Sequence, residues 1–407
     1  MNLRELKISD YTYVLPPHRI AVHPVFPRDS SKLLVFKNQE ITQANFFRLA
    51  DFLEENSLLV VNDTRVIHAR LLFINEFGGH VEIFCLEPIS ASVHEVFLHK
   101  GKCIWECLIG KPEKWREEFL IKKIDINNQD IELKAKRVKK VDETFQIEFS
   151  WIPAELSFAQ ILQSAGEVPL PPYLKRKPEK ADEKDYQTVY ANEEGSVAAP
   201  TAGLHFSKEV FEQVKEKNIQ ILSLTLHVGT GTFKPVKAER MKDHIMHAER
   251  FFISIHALTI LYNFLITKKS IIATGTTTLR TLETLYWLGT DPEKYLLENH
   301  FQFPQWEAYN YGENNLTGSE SIKNLVQFCK KNNLETVEGE TSLLIAPGFQ
   351  FHIADALITN FHQPNSTLLL LVAAFAGDAW RKIYDFALEN DFRFLSYGDS
   401  SLIFRYK

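Results

Sequence analysis

A short apolar run that stops on Asn, Gly, Thr or His recurs along this chain, and that pattern limits the fold more than any other feature. Leu58–Val61 runs into Asn62-Asp63-Thr64-Arg65, and Ile221–Leu226 into His227-Val228-Gly229-Thr230-Gly231. Ser270–Thr274 runs into Gly275-Thr276-Thr277, and Ala356–Thr359 into Asn360-Phe361-His362. Helical patterns lie between them at Lys208–Asn218, Thr278–Leu288 and Leu368–Ala376, the last too short to span a bilayer. Buried strands alternating with helices specify an α/β sheet, and such sheets collect ligand contacts in the loops at the carboxyl ends of their strands.

From about Ile67 to Phe149 the texture changes. VEIFCLE, EVFLHK, CIWECLI, FLIKKIDI, IELKAKRV and TFQIEF alternate at period two with turn signals between them, which predicts a small antiparallel barrel or sandwich. With 407 residues the chain has room for two or three domains. Its net charge of -6 excludes a global electrostatic footprint for nucleic acid but leaves room for a local patch. Two such patches are the solvated strand face Lys134–Lys140 and the proline-stiffened loop EVPLPPYLKRK, where Tyr173 sits beside Lys175 and Arg176. A second proline-rich segment, LPPHRIAVHPVFPRDSSKLLVF, holds Arg19 and Arg28. The N-terminus has no apolar signal core, so a cytoplasmic protein is expected. Four cysteines are too few for a disulfide framework, and the Cys103/Cys107 pair has no partner pair at zinc spacing.

Chemistry concentrates in small-residue loops. Gly195–Phe206, GSVAAPTAGLHF, is uncharged, dense in residues that permit close backbone approach, and ends on His205. Leu226–Phe233, LHVGTGTF, has the same character and contains His227. His205, His227, His247 and His362 all fall in such positions, where an imidazole is the natural acid or base near neutral pH. Asp63 and Asp399 add carboxylates, and Arg65 a cation able to clamp an anion. The strand–Gly/Thr–helix turn at Thr276-Thr277, with Arg280 in the first helical turn, offers N–H groups and hydroxyls to a ligand without being a P-loop. His244, His247 and Glu249 are read as a polar rim, since they lack the spacing of a helical zinc site. The residues alone describe an α/β enzyme with a pocket lined by His, Asp and Thr.

The chain also resembles the S-adenosylmethionine:tRNA ribosyltransferase-isomerase family of queuosine biosynthesis. The resemblance is carried by RIAVHPVFPRDSSKLLV, NDTRVIHARL, VPLPPY, YQTVYANEEGSVAAPTAGLHF, TLHVGTGTFKPV, DHIMHAE, GTTTLRTLE, PGFQF, LITNFHQPNSTLLLLVAAFAG and FRFLSYGD, in order over nearly the whole length. It implies transfer and isomerisation of the ribosyl group of S-adenosylmethionine onto 7-aminomethyl-7-deazaguanine at the tRNA wobble position. The products are epoxyqueuosine-tRNA, adenine and methionine. It implies no metal and no separate cofactor, and a monomer that acts away from membranes. The fold it implies is a barrel-like α/β domain over residues 1–66 and 150–407, with 289–340 as an insertion, carrying a small antiparallel β-barrel over 67–149.

On this reading His205 and His227 do acid/base work and Asp63 and Asp399 accept the proton of the aminomethyl group. The S-adenosylmethionine and base pocket comprises Pro200, Thr201, Gly203, Gly229, Thr230, Gly231, Thr276, Thr277, Arg280, Asn360, His362 and Tyr397. Arg19, Arg65, Tyr173, Lys175 and Arg176 face the tRNA. His68 stands where many relatives carry Pro, and the stretch from Gly289 to Glu340 is longer than theirs. The alternatives are an RNA-binding paralogue without catalysis and a nucleoside glycosyl-transferring enzyme acting without RNA.

Overall fold

The structure, a computed structural model, describes residues 3–89, 93–126, 128–229, 236, 238–297, 300–310 and 316–405. It divides into two compact units: Met1–Thr64 with Gln187–Asn192 and Ala199–Lys407, and Arg65–Tyr186 with Glu193–Ala198. The second unit therefore runs further along the chain than the strand-rich stretch 67–149. The small-residue segment Gly195–Phe206 contributes to both units.

The larger unit is built on an eleven-stranded mixed sheet. Four of its central strands are parallel, in the order Gln220–His227, Leu58–Asn62, Ile271–Thr274 and Ala356–Asn360. Leu58–Asn62 and Ile271–Thr274 are buried at every residue, as strands covered on both faces must be, which is why their sequences read as unbroken apolar runs. Beyond Ala356–Asn360 come Ser400–Phe404, antiparallel to it, and then Lys32–Lys37 and Glu40–Asn45. On the other side Glu249–Ser254 is antiparallel to Gln220–His227 and is followed by Thr336–Thr341 and His300–Phe303. The stretch 289–340 thus adds strands to the sheet edge and a helix, Gly318–Lys331, held by a capping box from Thr317 and Glu320. TSLLIAPGFQF does not form a strand of its own: the ladder ends at Thr341, and Leu343–Ala346 is buried without strand pairing.

The helices keep the sequence reading with shifted ends. Thr276–Thr290 starts two residues earlier than its periodicity suggested, directly after Gly275 at φ 93°. Lys208–Glu216 is capped by Ser207, and the apolar Thr367–Ala376 by Ser366, whose hydroxyl accepts from Leu369 N–H at 3.2 Å. No described helix is long and apolar enough to cross a membrane.

The smaller unit holds a seven-stranded sheet in the order Gly166–Glu167, Arg70–Ile74, His80–Pro88, Lys102–Gly110, Thr144–Ile152, Gln129–Val141 and Phe119–Ile126, and the stretch EVFLHK, expected as a strand, falls instead at the helix Val93–Leu98. All the neighbours are antiparallel. Lys102–Gly110 alternates buried and partly exposed residues, so one face forms a core while the other is wet. Phe119–Ile126 comes back beside Arg70–Ile74, which curls the sheet towards a half-barrel. The helix Phe158–Ala165 fills the concavity, its Phe158 ring against Trp105, Phe149 and Trp151. Cys85, Cys103 and Cys107 are buried there as free thiols, and desolvation pushes Cys103 and Cys107 far above the usual thiol range.

Candidate active site

Because the four central strands are parallel, Asp63, His227, Thr276 and Asn360 all lie at or just past one edge of the larger sheet. The antiparallel strands beside them begin at that edge, which adds Glu249 on one side and Asp399 on the other. Residues far apart in sequence therefore meet along a single rim.

At one end of the rim, Asp63 follows Leu58–Asn62, and its Oδ1 accepts from Thr225 Oγ1 at 2.7 Å. His227 closes its strand; its Nδ1 lies 2.9 Å from Thr64 Oγ1, and its ring stands edge-on to Phe252. Burial, helped by the Arg250 guanidinium, pushes His227 down to about 4 and keeps it neutral. Thr230 and Gly231 lie outside the described residues; at Gly229 an added Cβ would meet nothing within 4 Å.

Behind this end, Arg280 does not face outward as its place in the first helical turn suggested. It is 4% exposed and its Nη1 pairs with Glu249 Oε2 at 2.5 Å. The fully buried Glu249 is 3.5 Å from His247 Nε2, an approach too long for a hydrogen bond. Thr276 and Thr277 are buried at the start of their helix, and the buried Thr274 hydroxyl has no hydrogen-bond partner among the described residues. Among the described residues no group of three or more His, Cys, Asp or Glu could hold a metal.

At the other end the stretch Thr201–His205 forms a 3-10 helix entered through Pro200. Gly203 is required there, because a Cβ would fall 2.1 Å from Tyr190 Oη. His205 is 3% exposed, with Nδ1 2.8 Å from Ser31 Oγ and Nε2 3.1 Å from Asn360 Nδ2. Burial, with the Arg393 and Arg28 cations adding to it, pushes His205 down to about 3. Pro24, Val25, Arg28, Ser31, His205 and Tyr397 line a small cleft at this end. His362 is also buried and pushed to about 3 by desolvation; its Nε2 is 2.9 Å from Thr359 Oγ1.

Asp399 has the surroundings of a structural acceptor. Oδ1 accepts from Lys32 N–H at 2.9 Å and Oδ2 from Arg393 N–H at 2.7 Å, with the Arg393 guanidinium 3.4 Å from Oδ1. Those bonds tie the start of Lys32–Lys37 to the loop before Ser400–Phe404.

The candidate nucleic-acid contacts are scattered by comparison. In the larger unit, Arg19 pairs with Asp391 at 2.5 Å and donates to Leu388 O at 3.0 Å. In the smaller unit, Arg65 is half exposed and 3.9 Å from Glu194. Tyr173 is half-buried, and Lys175 is exposed in a left-handed conformation at φ 51°. Arg176 is committed to the buried Asp182 by two hydrogen bonds, at 2.6 and 2.7 Å, so a phosphate would have to displace a carboxylate there. In the basic strand, Lys136 pairs with Glu118 at 2.7 Å, while Lys139 and Lys140 are exposed.

Comparison with known proteins adds a family. The family profile described as "Queuosine biosynthesis protein" matches residues 8–403. A protein of Trichlorobacter lovleyi named S-adenosylmethionine:tRNA ribosyltransferase-isomerase is 36% identical over 402 residues, covering 97% of this chain and 99% of the relative. One of the same name from Sulfurihydrogenibium is 37% identical over 410 residues, covering 98% and 100%. A solved S-adenosylmethionine tRNA ribosyltransferase from Thermotoga maritima aligns over 97% of this chain and 100% of its own, with 28% identity and a TM-score of 0.48.

Proposed function

The chain belongs to the queuosine biosynthesis protein family, and from that premise we propose that it is an enzyme transferring and isomerising the ribosyl group of S-adenosylmethionine onto a tRNA. The acceptor is the aminomethyl arm of 7-aminomethyl-7-deazaguanine at the wobble position. The products are epoxyqueuosine-tRNA, adenine and methionine. S-adenosylmethionine is consumed as a substrate, and no metal or separate cofactor takes part. A monomer working in the cytoplasm, where its tRNA is, completes the reading. The barrel character of both units also belongs to it, supported in the smaller unit by the return of Phe119–Ile126 beside Arg70–Ile74.

The observation that carries the chemistry is the gathering of Asp63, His227 and Asn360 at the carboxyl ends of the parallel central strands. A sulfonium acidifies the neighbouring ribose C–H, so an unprotonated base must reach that proton. His227 fits, since its surroundings keep it uncharged and Thr64 fixes one of its nitrogens. The attacking amine must lose its proton, and Asp63, partly exposed at the rim, is better disposed to take it than the buried Asp399. Thr276, Thr277, Asn360 and His362 line the donor side, with Pro200, Thr201, Gly203 and Tyr397 shaping it. Lys175 and Arg65 are the candidates best exposed for tRNA, with Tyr173 half-buried beside Lys175. Incubation with S-adenosylmethionine and tRNA bearing the aminomethyl base should release one adenine per modified tRNA. A folded protein that binds this tRNA but releases no adenine would be the non-catalytic paralogue instead.

A further inference from the structure

The hydrogen bonds around His205 fix which nitrogen carries its proton. Asn360 Nδ2 is 3.1 Å from Leu395 O and 3.1 Å from His205 Nε2. A carbonyl oxygen only accepts, so it is the amide nitrogen of Asn360 that faces both partners, and its second hydrogen goes to Nε2. Nε2 is therefore the lone-pair nitrogen and Nδ1 bears the proton. Ser31 Oγ, 2.8 Å from Nδ1, must accept in that contact, which leaves its own O–H to donate elsewhere. This is the reverse of a serine activated by a histidine base, where the imidazole nitrogen would accept from the hydroxyl. A proton on Nε2 would set two donors against each other at Asn360, while burial and the nearby Arg28 and Arg393 charges keep the ring from taking a second proton. Ser31 lines the same cleft as His205, Arg28 and Tyr397. Asn360 Oδ1 is buried beside His205 with no hydrogen-bond partner among the described residues.

We propose that Ser31 is a substrate-contacting residue whose hydroxyl, aimed by the Leu395–Asn360–His205 relay, donates a hydrogen bond to a ring-nitrogen or oxygen acceptor of a purine-type nucleoside. His205 is then a positioning residue that sets the direction of the relay, and its imidazole moves no proton. The inference rests on the proposed function, which brings two such nucleosides to the enzyme: the adenosine part of S-adenosylmethionine and the deazaguanosine of the tRNA. In either case the hydroxyl contributes a hydrogen bond and forms no covalent bond.

Two experiments test it. Long-range 1H–15N NMR of the wild-type protein without substrate, with His205 assigned by comparison with H205Q, should show the Nδ1–H tautomer at pH 7; an Nε2–H signature overturns the relay. This readout needs no activity, so it stands even if the wild type releases no adenine. Separately, calorimetric titration of S31A with S-adenosylmethionine alone and with precursor tRNA alone should show about a tenfold loss of affinity for one of them, the size of one neutral hydrogen bond. Loss with the first identifies the adenosine as the partner, and loss with the second the tRNA base. Unchanged affinity for both, in an S31A protein with wild-type circular dichroism, overturns the proposal.

Discussion

Acid should weaken the larger unit through histidines that the fold keeps neutral, and His362 isolates the effect. His205 and His362 are each pushed from 6.5 down to about 3, chiefly by burial. Between those values the unfolded chain takes up a proton on each imidazole while the native protein takes up none. Stability therefore rises with pH across this window and is lost as pH falls from about 6.5 towards 3. Integrated from pH 8 to pH 5, the loss is about 2 kcal/mol per histidine and about 4 kcal/mol for the pair. Replacing His362 by Gln removes one share. Guanidinium unfolding followed by near-ultraviolet circular dichroism at pH 8 and pH 5 gives the loss for each protein. His362→Gln should lose about 2 kcal/mol less than the wild type over that interval, whatever its stability at pH 8. His227 and His352, both pushed down to about 4, act in the same direction, and Glu283, raised by burial, acts against them. All three are present in both proteins and cancel in the difference. Equal losses in the two proteins would refute the reasoning.

Three further outcomes follow from the geometry. Glu283, fully buried in the helix Thr276–Thr290, accepts from the backbone N–H groups of His352, Ile353 and Ala354 at 2.8, 3.1 and 3.1 Å. E283A should cost about 3 kcal/mol or more by orphaning three donors, read as a lower thermal midpoint with faster amide exchange at those residues. G289A should be similarly damaging, because its Cβ would fall 2.1 Å from the backbone oxygen of Ser321, which cannot swing away; a melting temperature equal to wild type would contradict this. D63N should lower kcat for adenine release by about 10²–10⁴ if Asp63 takes the amine proton, with little change in S-adenosylmethionine affinity.

The strand-to-loop rule was legible because fully buried parallel strands leave an unbroken apolar signature, as at Leu58–Val61, and stop visibly at Asn-Asp-Thr. The period-two texture of residues 67–149 likewise announced an antiparallel sheet. What the sequence does not record is how each polar atom is spent. Asp399 reads as a candidate base, yet its oxygens hold the backbone of Lys32 and Arg393. Arg280 reads as a ligand clamp at a helix start, yet it neutralises Glu249 in the interior. Ser31 lies inside the string RDSSKLLV but nothing local marks its contact, which is 174 positions away and depends on an asparagine further along still. Local pattern is set by burial and backbone geometry, whereas these pairings are set by tertiary approach, which no window of sequence contains.

The pairing of Lys32–Lys37 with Ser400–Phe404 bears on how the protein is made. Lys32 is bonded to Asp399, 367 residues away, and Ser31 stands directly before that junction. On the ribosome the hairpin Lys32–Asn45 must therefore wait, one edge unsatisfied, until the distant strand emerges and slots between it and Ala356–Asn360. A nascent chain arrested before Ser400 should leave that edge open to protease and to chaperones, and the rim around His205 should form only once Ser400–Phe404 has emerged.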